Sequence, residues 1–151
     1  MKNLKTYFII LLSIMALSSC TTDKTMIAKG VNLHKYDYAS IVKGQTIHGT
    51  ETDIEIEPGI YEAIESTRLQ MVGERRISDL SSKMKEQLVL VKYAATSSED
   101  GSTISVSFED YMTGKTVASC RSSNRTAWTR QRDVDKAIRK LRGRIVKIWG
   151  K

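Results

Sequence analysis

Histidine, cysteine and proline are scarce in this chain of 151 residues, and the first two scarcities exclude whole classes of site. The only histidines, His34 and His48, lack further ligands at the spacing that a zinc site requires. No Gly-X-Ser-X-Gly turn marks a nucleophilic serine. We therefore expect no metal, no cofactor and no catalytic set.

The chain also lacks an apolar run long enough to cross a membrane. The longest one, Tyr7 to Ser19, has 13 residues, whereas a bilayer needs about 20. Lys2 and Lys5 precede it, and small residues end it just before Cys20. A charged start, a short apolar core and small residues before a cut are the parts of a secretory signal.

With a cysteine directly after the cut, this segment resembles the signal of bacterial lipoproteins. The resemblance implies that residues 1–19 are removed and that Cys20 is acylated on its sulfur and on its new amino group, as with palmitate. Thr21 in place of an aspartate implies the outer membrane, with the domain facing the periplasm or the surface. An ordinary secreted protein and an uncleaved membrane helix are the alternatives.

Removal of residues 1–19 leaves 132 residues, enough for one domain with a core of its own. Two lysines leave with the signal, so 22 basic residues face 17 acidic ones. Cys120 then has no partner for a disulfide within the chain. We expect a flexible lipidated tether over residues 20–30 and a single domain over 31–151.

Hydrophobic patterning predicts most of the elements of that domain. Pro58 suits the first turn of a helix, and Gly73 suits its end. The predicted elements are a strand within 31–42, a loop over 45–52, a short extended piece at 54–56, a helix over 58–72, a central strand over 87–95, a strand over 104–109 with one wet face, and a hairpin partner over 116–121.

The last element is the clearest one. Val134, Ala137, Leu141, Ile145 and Ile148 recur at helical spacing. The order of elements predicts an α+β fold: a small, mostly antiparallel sheet with two amphipathic helices on one face, preceded by the signal peptide and the tether.

Several of these segments together resemble small α+β envelope lipoproteins of the Bacteroidetes type, with a domain of unknown function. They are Lys35 to Tyr38, the helix closing on Gly73, the strand Leu88 to Ala95 and the Asp110 to Lys115 hairpin. The resemblance implies an architecture and a cellular address, and it implies no reaction.

A basic surface on the last helix is the best candidate for binding. Neutralising acidic groups is what such a surface does well, although a run of charge is also typical of an ordinary solvated helix face. The candidate contacts are Arg132, Lys136, Arg139, Lys140, Arg144 and Lys147. Expected partners are the membrane through the lipid anchor, anionic lipid or an acidic envelope protein, and not nucleic acid. The oligomeric state stays open.

The expected function is thus a lipid-anchored, non-catalytic binding or assembly module of the cell envelope. A hydrolase or transferase acting on envelope glycans is the competing hypothesis, because Glu55, Glu57, Glu62 and Glu65 include pairs of carboxylates. Near a helix start, such residues more often complement the helix dipole.

Overall fold

Strands lie before and between two long helices in the computed structural model, which describes residues 23–42, 53–98, 101–125 and 130–150. Single turns of 3₁₀ helix lie at Leu33–Lys35 and Glu74–Arg76. In chain order the elements are β1 (Lys24–Ile27), β2 (Tyr38–Ile41), α1 (Asp53–Glu65), β3 (Gln70–Met71), α2 (Ser82–Glu86), β4 (Leu88–Ser98), β5 (Gly101–Asp110), β6 (Thr116–Asn124) and α3 (Arg130–Trp149).

The six strands form one mixed sheet in the order β1-β6-β5-β4-β2-β3. The pairs β1–β6, β6–β5 and β5–β4 are antiparallel, whereas β2 is parallel to both β4 and β3. The α+β class is confirmed, but the expectation of a mostly antiparallel sheet is wrong. Parallel neighbours need crossover connections, and α1 lies in the connection from β2 to β3.

The central strands and the last helix agree with the sequence pattern. Ile104, Val106 and Phe108 on β5 are buried and alternate with half-buried residues. On α3 the buried stripe includes Leu141 and Ile145. Period-two and period-3.6 patterns of this strength leave each element one face to bury, and the structure buries those faces against each other.

The first long helix begins earlier and ends earlier than its proline and glycine suggested. It starts at Asp53 and stops at Glu65, so the predicted bounds of 58–72 and the extended piece at 54–56 are wrong. Ile56 is fully buried one turn before Ile60, and this burial outweighs the single helical hydrogen bond that Pro58 cannot donate. Gly73 precedes a 3₁₀ turn instead of ending the helix.

Side-chain oxygens close α1 at its carboxyl end. The Ser66 hydroxyl donates to the Glu62 carbonyl at 2.7 Å, and the Thr67 hydroxyl donates to the Ile64 carbonyl at 2.6 Å. Such local bonds compete with further helix. The chain then turns into β3. The Gln70 amide donates to the Asp37 carbonyl just before β2, and the Val72 amide, just after β3, donates to the Ala39 carbonyl on β2.

The flexible tether predicted over residues 20–30 overlaps a strand of the sheet. Lys24–Ile27 form the edge strand β1, paired with β6 from Lys24 opposite Arg121 to Ile27 opposite Ala118. Residues 1–22, with the predicted signal peptide, lie outside the described residues, as does the predicted loop at 45–52. Part of the predicted tether therefore belongs to the sheet.

Both long helices and the sheet share one hydrophobic core. Helix α1 approaches α3 closely at Gly59, where an added Cβ would lie 2.7 Å from Cγ2 of Ile138. Trp149 at the end of α3 is 2% exposed and packs against Phe108 at 5.1 Å and Tyr36 at 6.1 Å between ring centroids. Trp149 is therefore a core residue, whereas Trp128 lies outside the described residues.

A buried carboxylate ties the start of β2 to the β5–β6 turn. Asp110 Oδ2 accepts from the Tyr36 hydroxyl at 2.8 Å and from Lys35 Nζ at 3.0 Å. Its Oδ1 accepts from the Thr113 amide at 2.8 Å. Burial by itself would raise the pKa of Asp110, but the hydrogen bonds from Tyr36, Lys35 and Thr113 prevail and lower it to about 2.

Replacement of Asp110 with Asn should destabilise the fold by about 1–3 kcal/mol, since it removes the charge from a buried network that keeps its donors. The pKa of Asp110 is lower in the folded chain, about 2 against an ordinary 3.8. Its contribution is therefore complete above pH 3.8 and is lost as the pH falls through 2.

Urea denaturation at several acidic pH values measures this effect. Between pH 3.8 and pH 2, the free energy of unfolding of the wild type should fall more steeply than that of Asp110→Asn. Asp79→Asn, at an exposed aspartate, is the control and should change stability by less than about 0.5 kcal/mol. Equal acid slopes for wild type and Asp110→Asn would contradict the assignment.

Candidate anionic-surface site

The predicted basic residues lie on the side of α3 that faces away from the sheet or along its flank. Opposite them, Val134, Leu141 and Ile145 are buried in the core. Five of the six candidates have exposed side chains, and the sixth, Arg144, is partly buried with 27% of its side chain exposed. The helical period thus separates the cations from the apolar stripe, as the sequence predicts.

Two of the six cations contact the β6 and β1 strands. Lys140 Nζ donates to the Ser123 carbonyl at 3.0 Å and to Asn124 Oδ1 at 3.3 Å. The Arg144 guanidinium lies 3.1 Å from Asp23 Oδ2 and 3.4 Å from the Thr25 hydroxyl. These two side chains join α3 to the edge of the sheet.

The other four make no ion pair within the described ranges of the chain. Their positions follow the exposed side of α3 from its first turn to its last. They are Arg132, Lys136, Arg139 and Lys147. An exposed stripe of positive charge without internal acidic partners can bind acidic groups from outside the chain.

Asp23, the first residue that the structure describes, is bonded to both β6 and α3. Its Oδ1 accepts from the Ser123 amide at 2.9 Å, while its Oδ2 pairs with Arg144. The Asp23 side chain is only 15% exposed. A hydrogen bond to an ionised, largely buried carboxylate is worth about 1.5–3 kcal/mol, more than an exposed ion pair contributes.

The bonded position of Asp23 limits how far Cys20 can lie from the fold. Cys20 itself lies outside the described residues, but it stands three residues before Asp23 in the sequence. A fully extended chain advances at most about 3.6 Å per residue, so the Cα atoms of the two residues are separated by no more than about 11 Å. The sequence pattern alone suggested a longer, flexible spacer.

The remaining thiol is buried. Cys120 on β6 is 1% exposed. Burial raises the pKa of its thiol to about 12, against a smaller opposing influence of Arg144. Because the thiolate is the reactive form, burial and the raised pKa make Cys120 a packing residue of the core and a poor nucleophile.

Glu57 and Glu62, two of the four glutamates that suggested a carboxylate pair, contact different partners. Glu57 accepts from the Tyr93 hydroxyl at 3.2 Å, and Glu62 lies 4.0 Å from Arg142 at the surface. Among the described residues, no three histidine, cysteine or acidic side chains are grouped as metal ligands. His34 is exposed, and His48 lies outside the described ranges.

A pocket of about 320 Å³ lies beside β2 and β3. Its walls combine apolar and polar side chains, and Asp79 supplies the one carboxylate among them. They include Tyr38, Gln70, Met71, Arg76, Asp79 and Met84.

No described helix is both long enough and apolar enough to cross a membrane.

Comparison with solved structures finds similar folds at low sequence identity. Two crystal structures of a PelC dodecamer from Paraburkholderia phytofirmans share 11% identity with this chain, with TM-scores of 0.53 and 0.50. Each match covers 82% of this chain and 97% or 95% of the PelC chain. At this identity the likeness concerns the fold alone.

A PDZ domain protein from Parabacteroides distasonis is also similar, with 11% identity and a TM-score of 0.51. The match covers 87% of this chain and 36% of that protein. No protein-family model matches the chain, and no curated protein matches it.

Asp23→Ala should loosen β1 without unfolding the domain. Loss of the bonds to Ser123 and Arg144 should speed amide exchange over Lys24–Ile27 by about tenfold or more, since 1.4 kcal/mol corresponds to a factor of ten. Hydrogen–deuterium exchange measured by mass spectrometry reports this change.

Glu65→Ala, at an exposed residue on α1, is the matched control and should leave exchange in β1 unaltered. Amides in β5 should keep their protection in both variants. Unchanged exchange over β1 in Asp23→Ala would show that strand pairing alone holds this segment.

Proposed function

We propose that this chain is a cell-envelope lipoprotein, anchored by lipid at Cys20, which acts at the outer membrane as a non-catalytic binding or assembly module. The signal-like segment from Lys2 to Cys20 supports the anchor. The observation that carries the proposal furthest is the fixed position of Asp23. It keeps an acylated Cys20 within about 11 Å of the folded domain.

Acylation of this kind accounts for stable attachment without a membrane-spanning segment. Each buried methylene contributes about 0.8 kcal/mol, and a single acyl chain holds a protein only marginally. Two or three chains on one cysteine make the attachment stable. Only residues 21 and 22 separate the anchored cysteine from Asp23, so the domain lies against the headgroups.

The basic stripe on α3 provides the binding part of the proposal. Arg132, Lys136, Arg139 and Lys147 have no ion-pair partner in the described part of the chain. Close to a charged leaflet each such residue contributes about 1 kcal/mol of attraction. An anionic lipid or an acidic envelope protein fits this chemistry.

Cys20→Ala should abolish incorporation of labelled palmitate, because the acylated sulfur and its new amino group are both lost. The measurement is metabolic labelling of cells that express the full chain, followed by immunoprecipitation. Cys120→Ala makes the same change at the buried cysteine and should keep the label. Label retained in Cys20→Ala would refute the anchor.

A further inference from the structure

The strand β1 is an edge strand with an unusual side-chain composition. It pairs with β6 on one side only. Met26 and Ile27 are 48% and 49% exposed, although both are large and apolar. The other strongly exposed large apolar residues in the described part of the chain, Tyr61 and Met112, lie singly elsewhere.

Exposed cations lie near both ends of this strand. Lys24 stands directly opposite Arg121 in the β1–β6 register, and both are exposed. Like charges in such a cross-strand pair repel each other. Neither has an ion-pair partner among the described residues. Lys29 adds a further exposed cation just after the strand.

Asp23 lies at this same edge of the sheet. Asp23, held by Ser123 and Arg144, immediately precedes Lys24. Any lipid on Cys20 therefore emerges within about 11 Å of Asp23. The α3 stripe is placed differently, because α3 covers one face of the sheet and its outer side points away from that face.

We propose that the β1 edge, made of Lys24, Met26, Ile27, Lys29 and Arg121, lies against the anionic leaflet that holds the Cys20 lipid. This inference rests on the lipid anchor proposed above and assigns the surface that meets the bilayer. Met26 and Ile27 enter the boundary between headgroups and acyl chains, where apolar area leaves water. Lys24, Lys29 and Arg121 meet the lipid phosphates.

An exposed edge strand has another possible occupant, since its unpaired amides and carbonyls can bind a strand from a second copy. Lysines on an edge oppose such pairing, and Lys24 and Lys29 flank the apolar pair on β1. The position of the chain entry and the clustering of positive charge both favour the leaflet.

Site-specific fluorescence on the lipidated full chain tests this orientation. An environment-sensitive fluorophore is attached to Met26→Cys, or to Gln70→Cys on the opposite edge strand β3 as the matched control. Six strands place those two edges roughly 24 Å apart. Cys20 is blocked by lipid, and buried Cys120, whose thiol has a raised pKa, does not compete for the label.

The protein is reconstituted into vesicles of phosphatidylcholine and phosphatidylglycerol that carry a quencher in the acyl chains. The label at position 26 should shift to the blue and be quenched, and the label at position 70 should remain unquenched. Lys24→Glu combined with Arg121→Glu should abolish the quenching at position 26. Arg75→Glu combined with Lys83→Glu, an equal charge change at two exposed residues near the opposite edge strand β3, should leave it in place.

Three outcomes would overturn the inference while the protein still floats with vesicles: no quenching at position 26, equal quenching at both positions, or efficient disulfide formation between two copies through unlabelled Met26→Cys. The last result would identify a second copy as the occupant. Failure of the wild-type protein to carry lipid and float would instead refute the lipid anchor. Ile27→Cys repeats the test with an independent attachment point.

Discussion

The contacts of Asp23 with the Ser123 amide and with Arg144 hold the segment before β1 against β6 and α3. One carboxylate there joins three elements that are distant in sequence: the entry to β1, the end of β6 and the middle of α3. Because the Asp23 side chain is 15% exposed, these bonds are largely shielded from water and hold β1 at the edge of the sheet. The upper limit of about 11 Å between the Cα atoms of Cys20 and Asp23 constrains Cys20 relative to the sheet because these contacts hold Asp23 in place.

A second buried carboxylate has a comparable role elsewhere in the sheet. Asp110 joins the start of β2 to the β5–β6 turn through Tyr36, Lys35 and Thr113. Between the two carboxylates lies an apolar core formed by the sheet, α1 and α3. Polar groups thus fix how loops and chain ends meet the core, while hydrophobic burial supplies most of the stabilisation.

The sequence predicted the elements whose apolar pattern is long and regular, namely β4, β5, β6 and α3. It failed for β1 and β3, because strands of four and two residues carry too little pattern to be recognised. Pro58 was misleading, since burial of Ile56 extends the helix before it. The parallel pairing of β2 followed from tertiary packing that no local segment encodes.

The candidate site, too, was predicted from the sequence only in part. All six predicted cations lie on α3, yet Lys140 and Arg144 turn to the sheet edge while the other four follow the exposed side. Asp23 was not predicted as a partner, because Ser123 and Arg144 lie about a hundred residues away in the chain. Lys24 and Arg121 became neighbours only through the β1–β6 register.

The proposed lipid anchor at Cys20 stands three residues before Asp23, which is bonded to the sheet and to α3. Mass spectrometry of the amino-terminal peptide, from protein extracted from cell envelopes, detects this anchor. We expect a peptide that begins at Cys20 and carries acyl chains on the sulfur and the amino group. An unmodified Cys20, or a mature chain that still contains residues 1–19, would contradict it.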